Sequence, residues 1–289
     1  MDDTPRLHRF EPGRPHWWQW LTVLSLDAPL VALAWQGAFA RALGVDLGWH
    51  HRYILGASVW LAYVADRWIE GWRLAPGQIR TQRHWFYQQW RWLIAVPWLI
   101  VLTTALQLSL VRLTRSELSA GFLMLAPVLA YLLSHQLLHR ESAWRLPKEL
   151  CVALLFTGGA VCFPAADRFP ALAGIATGLL CFGLLCFADC ALISLWENEV
   201  DQAHGQTSLA LQFPQGRPGV RALPWLTALL GVGLAVHAPD GPGSPAGCAA
   251  ASGVLLGCLD IFHQRIGRQL SRALADLTLL TPFVWWLLR

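Results

Sequence analysis

Apolar residues run along this chain in long blocks, and polar residues punctuate them. ILGASVWLAYVA fills 54–65, and PALAGIATGLLCFGLLCFADCALISLW fills 170–196. Blocks of this kind predict helices that cross a membrane. Nine are expected, over 18–42, 52–69, 91–111, 118–138, 149–164, 170–196, 222–238, 245–262 and 271–288. Several are shorter than the roughly 20 residues of an ideal span. Period-two alternation is missing, so a β-barrel is not expected. The expected fold is all-α and integral to the membrane, a bundle of nine transmembrane helices. It forms a single domain over 1–289, with 1–16 as a polar cytoplasmic tail.

Composition agrees. The chain is 55% hydrophobic and 14% charged, against about 25% charged in an ordinary soluble domain. Charge also orients it. With the N-terminus placed inside, sixteen of the 22 Lys and Arg fall on inner segments, as the positive-inside rule requires. The expected location is therefore a bacterial-type inner membrane or its equivalent, spanned several times. The opening MDDTPRLHRFEPGRPH has no apolar core and does not read as a signal peptide. Trp17, Trp18 and Trp20 follow where an interfacial aromatic belt would sit. The seven Cys show no CxxC spacing, which argues against a zinc site or a disulfide framework. Nothing reads as a nucleic-acid module.

The chemistry gathers at two helix ends. The second block closes with Asp66 and Glu70, one turn apart, with Arg67 between them and Arg73 beyond. The sixth block ends in ENEVDQAHGQTSLA, where Glu197 and Asp201 are again four apart. One such pair is ordinary surface chemistry. Two pairs at matching places in two four-helix halves point to shared work. Carboxylates at i and i+4 share a face; they repel one another and are costly to desolvate beside a membrane. Hard oxygen ligands converging from two helices suit magnesium, which takes one or two carboxylates plus substrate phosphates. Arg73, Arg80, Arg83 and His84, in the loop after the first pair, could hold remaining phosphate oxygens. A diphosphate with an apolar tail would fill both environments.

Other residues carry weaker signals. Asp27 and Asp189 lie inside the first and sixth spans, where an acid is either functional or a packed structural group. Asp276, nearer an end of its span, reads as structural. His135 and His139 are four apart, a spacing open to a transition metal but without a third ligand nearby. Gly174 and Gly178 fit close helix packing. RTQRHWFYQQWR (80–91) reads as a basic, aromatic interfacial helix, either an anchor or a lid. PDGPGSPAG (239–247) reads as an outer turn.

The two acidic ends resemble the motifs of the UbiA superfamily of intramembrane prenyltransferases. Its first motif runs approximately N-D-x-x-D-R-x-x-D, and AYVADRWIE (62–70) matches at Asp66, Arg67 and, with Glu for Asp, Glu70. Ala62 and Tyr63 stand where that motif opens. The second runs approximately D-x-x-x-D-x-x-x-G; Glu197, Asp201 and Gly205 match, with Glu for the first Asp. SLDAPL (25–30) is similar to an L-D-x-P element of the family's first helix, with Ser25 in place of the usual Arg. PKELCVALLFTGGA (147–160) is similar to its fifth helix, headed by Lys148. The resemblance spans essentially the whole chain. It implies two magnesium ions held by Asp66, Glu70, Glu197 and Asp201, as catalytic and metal-binding residues. Arg67, Arg73, Arg80 and Lys148 would bind the diphosphate of a prenyl diphosphate, and the prenyl group would pass to a lipophilic acceptor of unknown identity. Departure at Ala62 and Tyr63 leaves Tyr63 without a defined role. It keeps a second reading open, a UbiA-like membrane protein that binds an isoprenoid diphosphate or lipid without catalysis. A transporter fits less well, because both pairs lie at the inner face and not at mid-membrane.

Overall fold

The computed structural model describes residues 15–73, 79, 81–134, 147–204, 208–238 and 241–287. Among the described residues the chain is helical, with no strand. The order is α1 (Trp20–Val23), α2 (Asp27–Ala42), α3 (Trp49–Arg73), α4 (Gln82–Gln89), α5 (Arg91–Arg112), α6 (Arg115–Leu133) and α7 (Lys148–Val161). There follow α8 (Leu172–Trp196), α9 (Asn198–Ala203), α10 (Leu209–Gln212), α11 (Arg217–Ala235), α12 (Pro245–Ile266), α13 (Arg268–Thr278) and α14 (Thr281–Leu287).

Helices overlap all nine expected stretches, but 18–42 and 271–288 are each divided in two, and nine spans are not shown among the described residues. Five stretches are long and apolar enough to cross a membrane: Arg91–Arg112, Arg115–Leu133, Phe169–Trp196, Pro214–Ala235 and Pro245–Ile266. The pair Trp17–Val23 and Asp27–Ala42, bent by 75°, makes a sixth if counted as one broken span. α7 is shorter, with 14 residues, and Gly267 (φ +89°) separates α13 from α12. Local chemistry sets several boundaries. Thr114 and Glu117 close a capping box on α6. The Ser244 hydroxyl caps α12 just before Pro245.

Inside the bundle, α2 and α8 run antiparallel. Trp35 stacks on Phe182 at 4.2 Å between ring centres, and a Cβ placed on Gly178 would touch the Phe39 ring at 3.5 Å. The Trp35 indole N–H donates to the Leu279 carbonyl at 2.9 Å, which fastens the last helices to α2. α11 and α12 press together at glycines. A Cβ on Gly231 would fall 2.6 Å from the Ala246 carbonyl oxygen, and one on Gly253 would fall 2.7 Å from that of Pro224. In lipid such close approach carries the packing, since apolar burial alone gains little there. Gly178 meets Pro245 at 2.9 Å, but Gly174 has nothing within 4 Å. Of the expected packing pair only Gly178 meets a partner helix, because Gly174 lies on an exposed face of α8.

Candidate functional site

The first acidic pair is organised by α4, the short helix after it. The Thr81 hydroxyl caps α4, accepting the His84 N–H. That fixes the imidazole, whose Nδ1 lies 2.6 Å from Thr81 Oγ1 and whose Nε2 lies 2.9 Å from Glu70 Oε2. A carboxylate only accepts, so Nε2 carries the proton and Nδ1 accepts from the hydroxyl. His84 and Tyr87 are buried while Arg83 reaches across the site. The segment read as anchor or lid is therefore packed against the bundle by one face.

The second pair sits on the break between α8 and α9. Glu197 is 6% exposed. Its Oε2 accepts from Arg83 Nη2 at 3.1 Å, a contact made 114 residues away in sequence, and from Arg272 Nη1 of α13. Asp201, also buried, lies 3.9 Å from Lys148 Nζ at the head of α7. Lys148 in turn feels the charges of Glu70 and Asp66 as well as Asp201. The two pairs thus meet around the same basic groups: Arg83 and Arg272 on Glu197, Lys148 between Asp201 and the first pair, and the His84 imidazole N–H on Glu70. Next door, Glu149 Oε1 accepts the Leu209 N–H at 3.0 Å, and Ser194 Oγ accepts that of Ala210 at 3.1 Å. These bonds hold α10 against the head of α7 and the acidic end of α8.

Burial and charge compete at every member. Burial would raise the Glu70 carboxyl, but the hydrogen bond and charge of His84, with Lys148 and Arg83, hold it well below the carboxylate range. Glu197 behaves alike: burial opposes, yet Arg272 and Arg83 keep it at about 2. At Asp201 burial wins, aided by Glu197 and only partly offset by Lys148, and its carboxyl rises. Burial lowers Lys148, but Asp201, Glu149, Glu70 and Asp66 outweigh it and the ammonium is strengthened. Burial, then Arg83 and Arg67, push His84 below its usual value against the pull of Glu70.

Of the expected diphosphate residues, Lys148 stands in the site. Arg67 turns to the first helix: its Nη1 donates to Ser25 Oγ at 2.5 Å and to the Thr22 carbonyl at 3.1 Å. Its guanidinium also lies over the Tyr63 ring at 5.3 Å. Tyr63 thereby acquires a place, as the cation–π partner that steadies Arg67. Arg80, the Arg73 side chain, His135, His139 and Gly205 lie outside the described residues. Sequence reasoning passed over Arg272, Glu149 and Tyr131. Arg272 had a signal, since it precedes Asp276 by four residues in α13. Tyr131 of α6 lies in electrostatic reach of Asp66, Tyr63 and Glu70, which no local pattern announces.

The four carboxylates offer hard oxygen donors from two helix ends. Among the described residues no three His, Cys, Asp or Glu are placed to hold a metal ion by themselves. Magnesium does not need such a cage, because it uses one or two carboxylates, waters and substrate phosphates. The donor set fits it in that mode. Comparisons with family models, curated proteins and solved structures give no match for this chain.

Proposed function

We propose that the chain is an intramembrane prenyltransferase. It would move a prenyl group from a prenyl diphosphate to a lipophilic acceptor. One observation carries the reading: two acidic helix ends, far apart in sequence, meet around shared cations at one end of an apolar bundle. In this reading the bundle spans a bacterial-type inner membrane nine times, with the N-terminus and the acidic ends on the cytoplasmic side, as the Arg distribution favours.

Asp66, Glu70, Glu197 and Asp201 would hold magnesium. Bound magnesium supplies electrostatic stabilisation of the leaving diphosphate. Lys148, Arg83 and Arg272 bind the diphosphate oxygens with charge-assisted hydrogen bonds. Arg67, steadied by Tyr63 and Ser25, adds positive potential from the side of the first helix. α4, with buried His84 and Tyr87, limits water at the carbon–oxygen bond that breaks.

The test needs no acceptor. Protein in detergent is titrated with farnesyl diphosphate, with magnesium and with chelator, alongside Asp66→Asn and Asp201→Asn. Magnesium-dependent binding that falls at least tenfold in both variants is expected. Binding indifferent to magnesium and to both substitutions would overturn the reading. Binding with no release of diphosphate across a panel of acceptors would favour the non-catalytic alternative, to which the Ala62 and Tyr63 departures already point.

A further inference from the structure

Beneath the acidic ends lies a second polar group that the diphosphate chemistry does not use. Trp35 pairs with Phe182, and Phe39 approaches Gly178. That antiparallel register puts Asp27 level with residue 190, and so beside Asp189. The Trp35–Leu279 hydrogen bond fixes the end of α13 against α2, and Gln19–Gln269 ties its start to the turn before α1, with Asp276 one turn from Leu279. Asp276 feels the charges of Asp27, Asp189, Arg272 and Arg67. Three aspartates from three packed helices therefore face one region of the bundle.

Their own structure does not satisfy them. Asp27 and Asp189 are 5% and 4% exposed. Asp27 Oδ1 accepts the adjacent Ala28 N–H at 2.9 Å, but Asp27 Oδ2 and Asp189 Oδ1 are buried without a hydrogen-bond partner. Among the described residues none of the three makes an ion pair. The two nearby guanidiniums are engaged elsewhere, Arg272 on Glu197 and Arg67 on Ser25 and Thr22. Unpaired carboxyl oxygens at this depth are costly. What they lack is hydrogen-bond donors, and the carboxyls are not spaced to close on a bare metal ion.

We propose that Asp27, Asp189 and Asp276 form a binding site, within the bundle, for an apolar molecule whose head donates hydrogen bonds: an ammonium or a hydroxyl. Asp27 Oδ2 and Asp189 Oδ1 receive the head. Arg272 forms the partition toward Glu197. The site stands whether or not the chain transfers prenyl groups.

Three probes of one tail length test it: dodecylamine, dodecanol and dodecanoate, read by quenching of intrinsic Trp fluorescence in detergent. The wild-type protein should bind the amine at least tenfold more tightly than the carboxylate, with the alcohol between them; this arm needs no variant. Asp189→Asn and Asp27→Asn should each reduce the amine preference about tenfold while farnesyl diphosphate binding stays intact. Equal affinity for the three heads would overturn the proposal, as would a preference that survives both substitutions. Loss of diphosphate binding with head selectivity preserved would strike at the prenyltransferase reading alone.

Discussion

Replacing Glu197 by Gln tests whether shared cations hold the two acidic ends together. Gln keeps the shape and one acceptor oxygen but deletes the charge that binds Arg83 and Arg272. A hydrogen bond to a charged group contributes about 1.5–3 kcal/mol, and removing one partner of a buried ion pair costs about 3–5 kcal/mol. Here two guanidiniums are left facing each other, and Arg272 already opposes the charge on Arg83. The retained amide oxygen offsets part of this, so a loss of about 3 kcal/mol is expected. At roughly 2 °C per kcal/mol for a chain of this size, the midpoint should fall about 6 °C in chelator-containing detergent. Asp27, Asp189 and Asp276 lie near enough to Arg272 to absorb a little of the freed charge. The double variant Glu197→Gln/Arg272→Gln should recover part of the loss, because fewer charges remain uncompensated. Binding of inorganic pyrophosphate supplies the second assay. Freed guanidiniums should raise its metal-free affinity several-fold, while magnesium-dependent binding of farnesyl diphosphate falls. A midpoint within 1 °C of the parent (about 0.5 kcal/mol on the same scale), together with unchanged metal-free pyrophosphate binding, would refute the Arg83–Glu197–Arg272 link as a support of the site.

Three further expectations follow from particular residues. His84 is held below its ordinary value chiefly by burial, so near pH 6.5 the unfolded chain takes up a proton that the folded chain refuses. Stability should therefore decline as pH falls through that region in magnesium-free buffer, and His84→Gln should flatten the decline; an equal slope in both proteins would sink the assignment. Ser25 holds φ +57° while its hydroxyl binds Arg67 and Tyr87. Ser25→Ala should cost about 1.5–3 kcal/mol, and Ser25→Gly about 1 kcal/mol less than that, since glycine tolerates the left-handed conformation; detergent unfolding that ranks Ala above Gly would contradict this. Gly253→Ala would drive a Cβ to 2.7 Å from the Pro224 carbonyl oxygen and should cost about 1–3 kcal/mol or more. Gly174→Ala, which meets nothing within 4 Å, should stay within about 0.5 kcal/mol by the same measurement.

The helices were legible because each apolar block is long and bounded by charge or by Pro and Gly. The acidic ends were legible because i and i+4 carboxylates declare a shared face. What crosses between helices was not. Nothing near Arg83 says that it reaches Glu197 rather than lipid headgroups, and nothing near Glu149 says that it receives the Leu209 N–H. Gly174 and Gly178 read alike in sequence, yet only Gly178 is level with Pro245, and that level is set by how α8 packs. Ser25 reads as part of a continuous first helix. The 75° bend there is paired with Arg67, 42 residues away, a partner that local propensity cannot reveal.

Charge arithmetic within the cluster bears on the need for metal, independently of any resemblance. Among the described residues, Asp66, Glu70, Glu197 and Asp201 bring four negative charges, with Glu149 a fifth beside Lys148, and Arg83, Lys148 and Arg272 bring three positive ones, with Arg67 a fourth on the side of the first helix. Glu197 already leans on two guanidiniums and Asp201 on Lys148, while Glu70 accepts from the His84 imidazole N–H. A diphosphate entering this cluster, which has no surplus of positive charge among the described residues, adds several negative charges in a poorly solvated place. Either the acids give up their cations to the phosphates, or further cations arrive with the substrate. The first course leaves buried carboxylates bare, at several kcal/mol each. Divalent ions would meet both needs at once, since they would bring positive charge and suit carboxylate and phosphate oxygens alike. A cluster with surplus arginine would bind diphosphate without metal. On the proposed function, the lack of surplus cation makes metal-dependent binding the expected behaviour, and the Glu197→Gln substitution changes it in the direction that should relax the dependence.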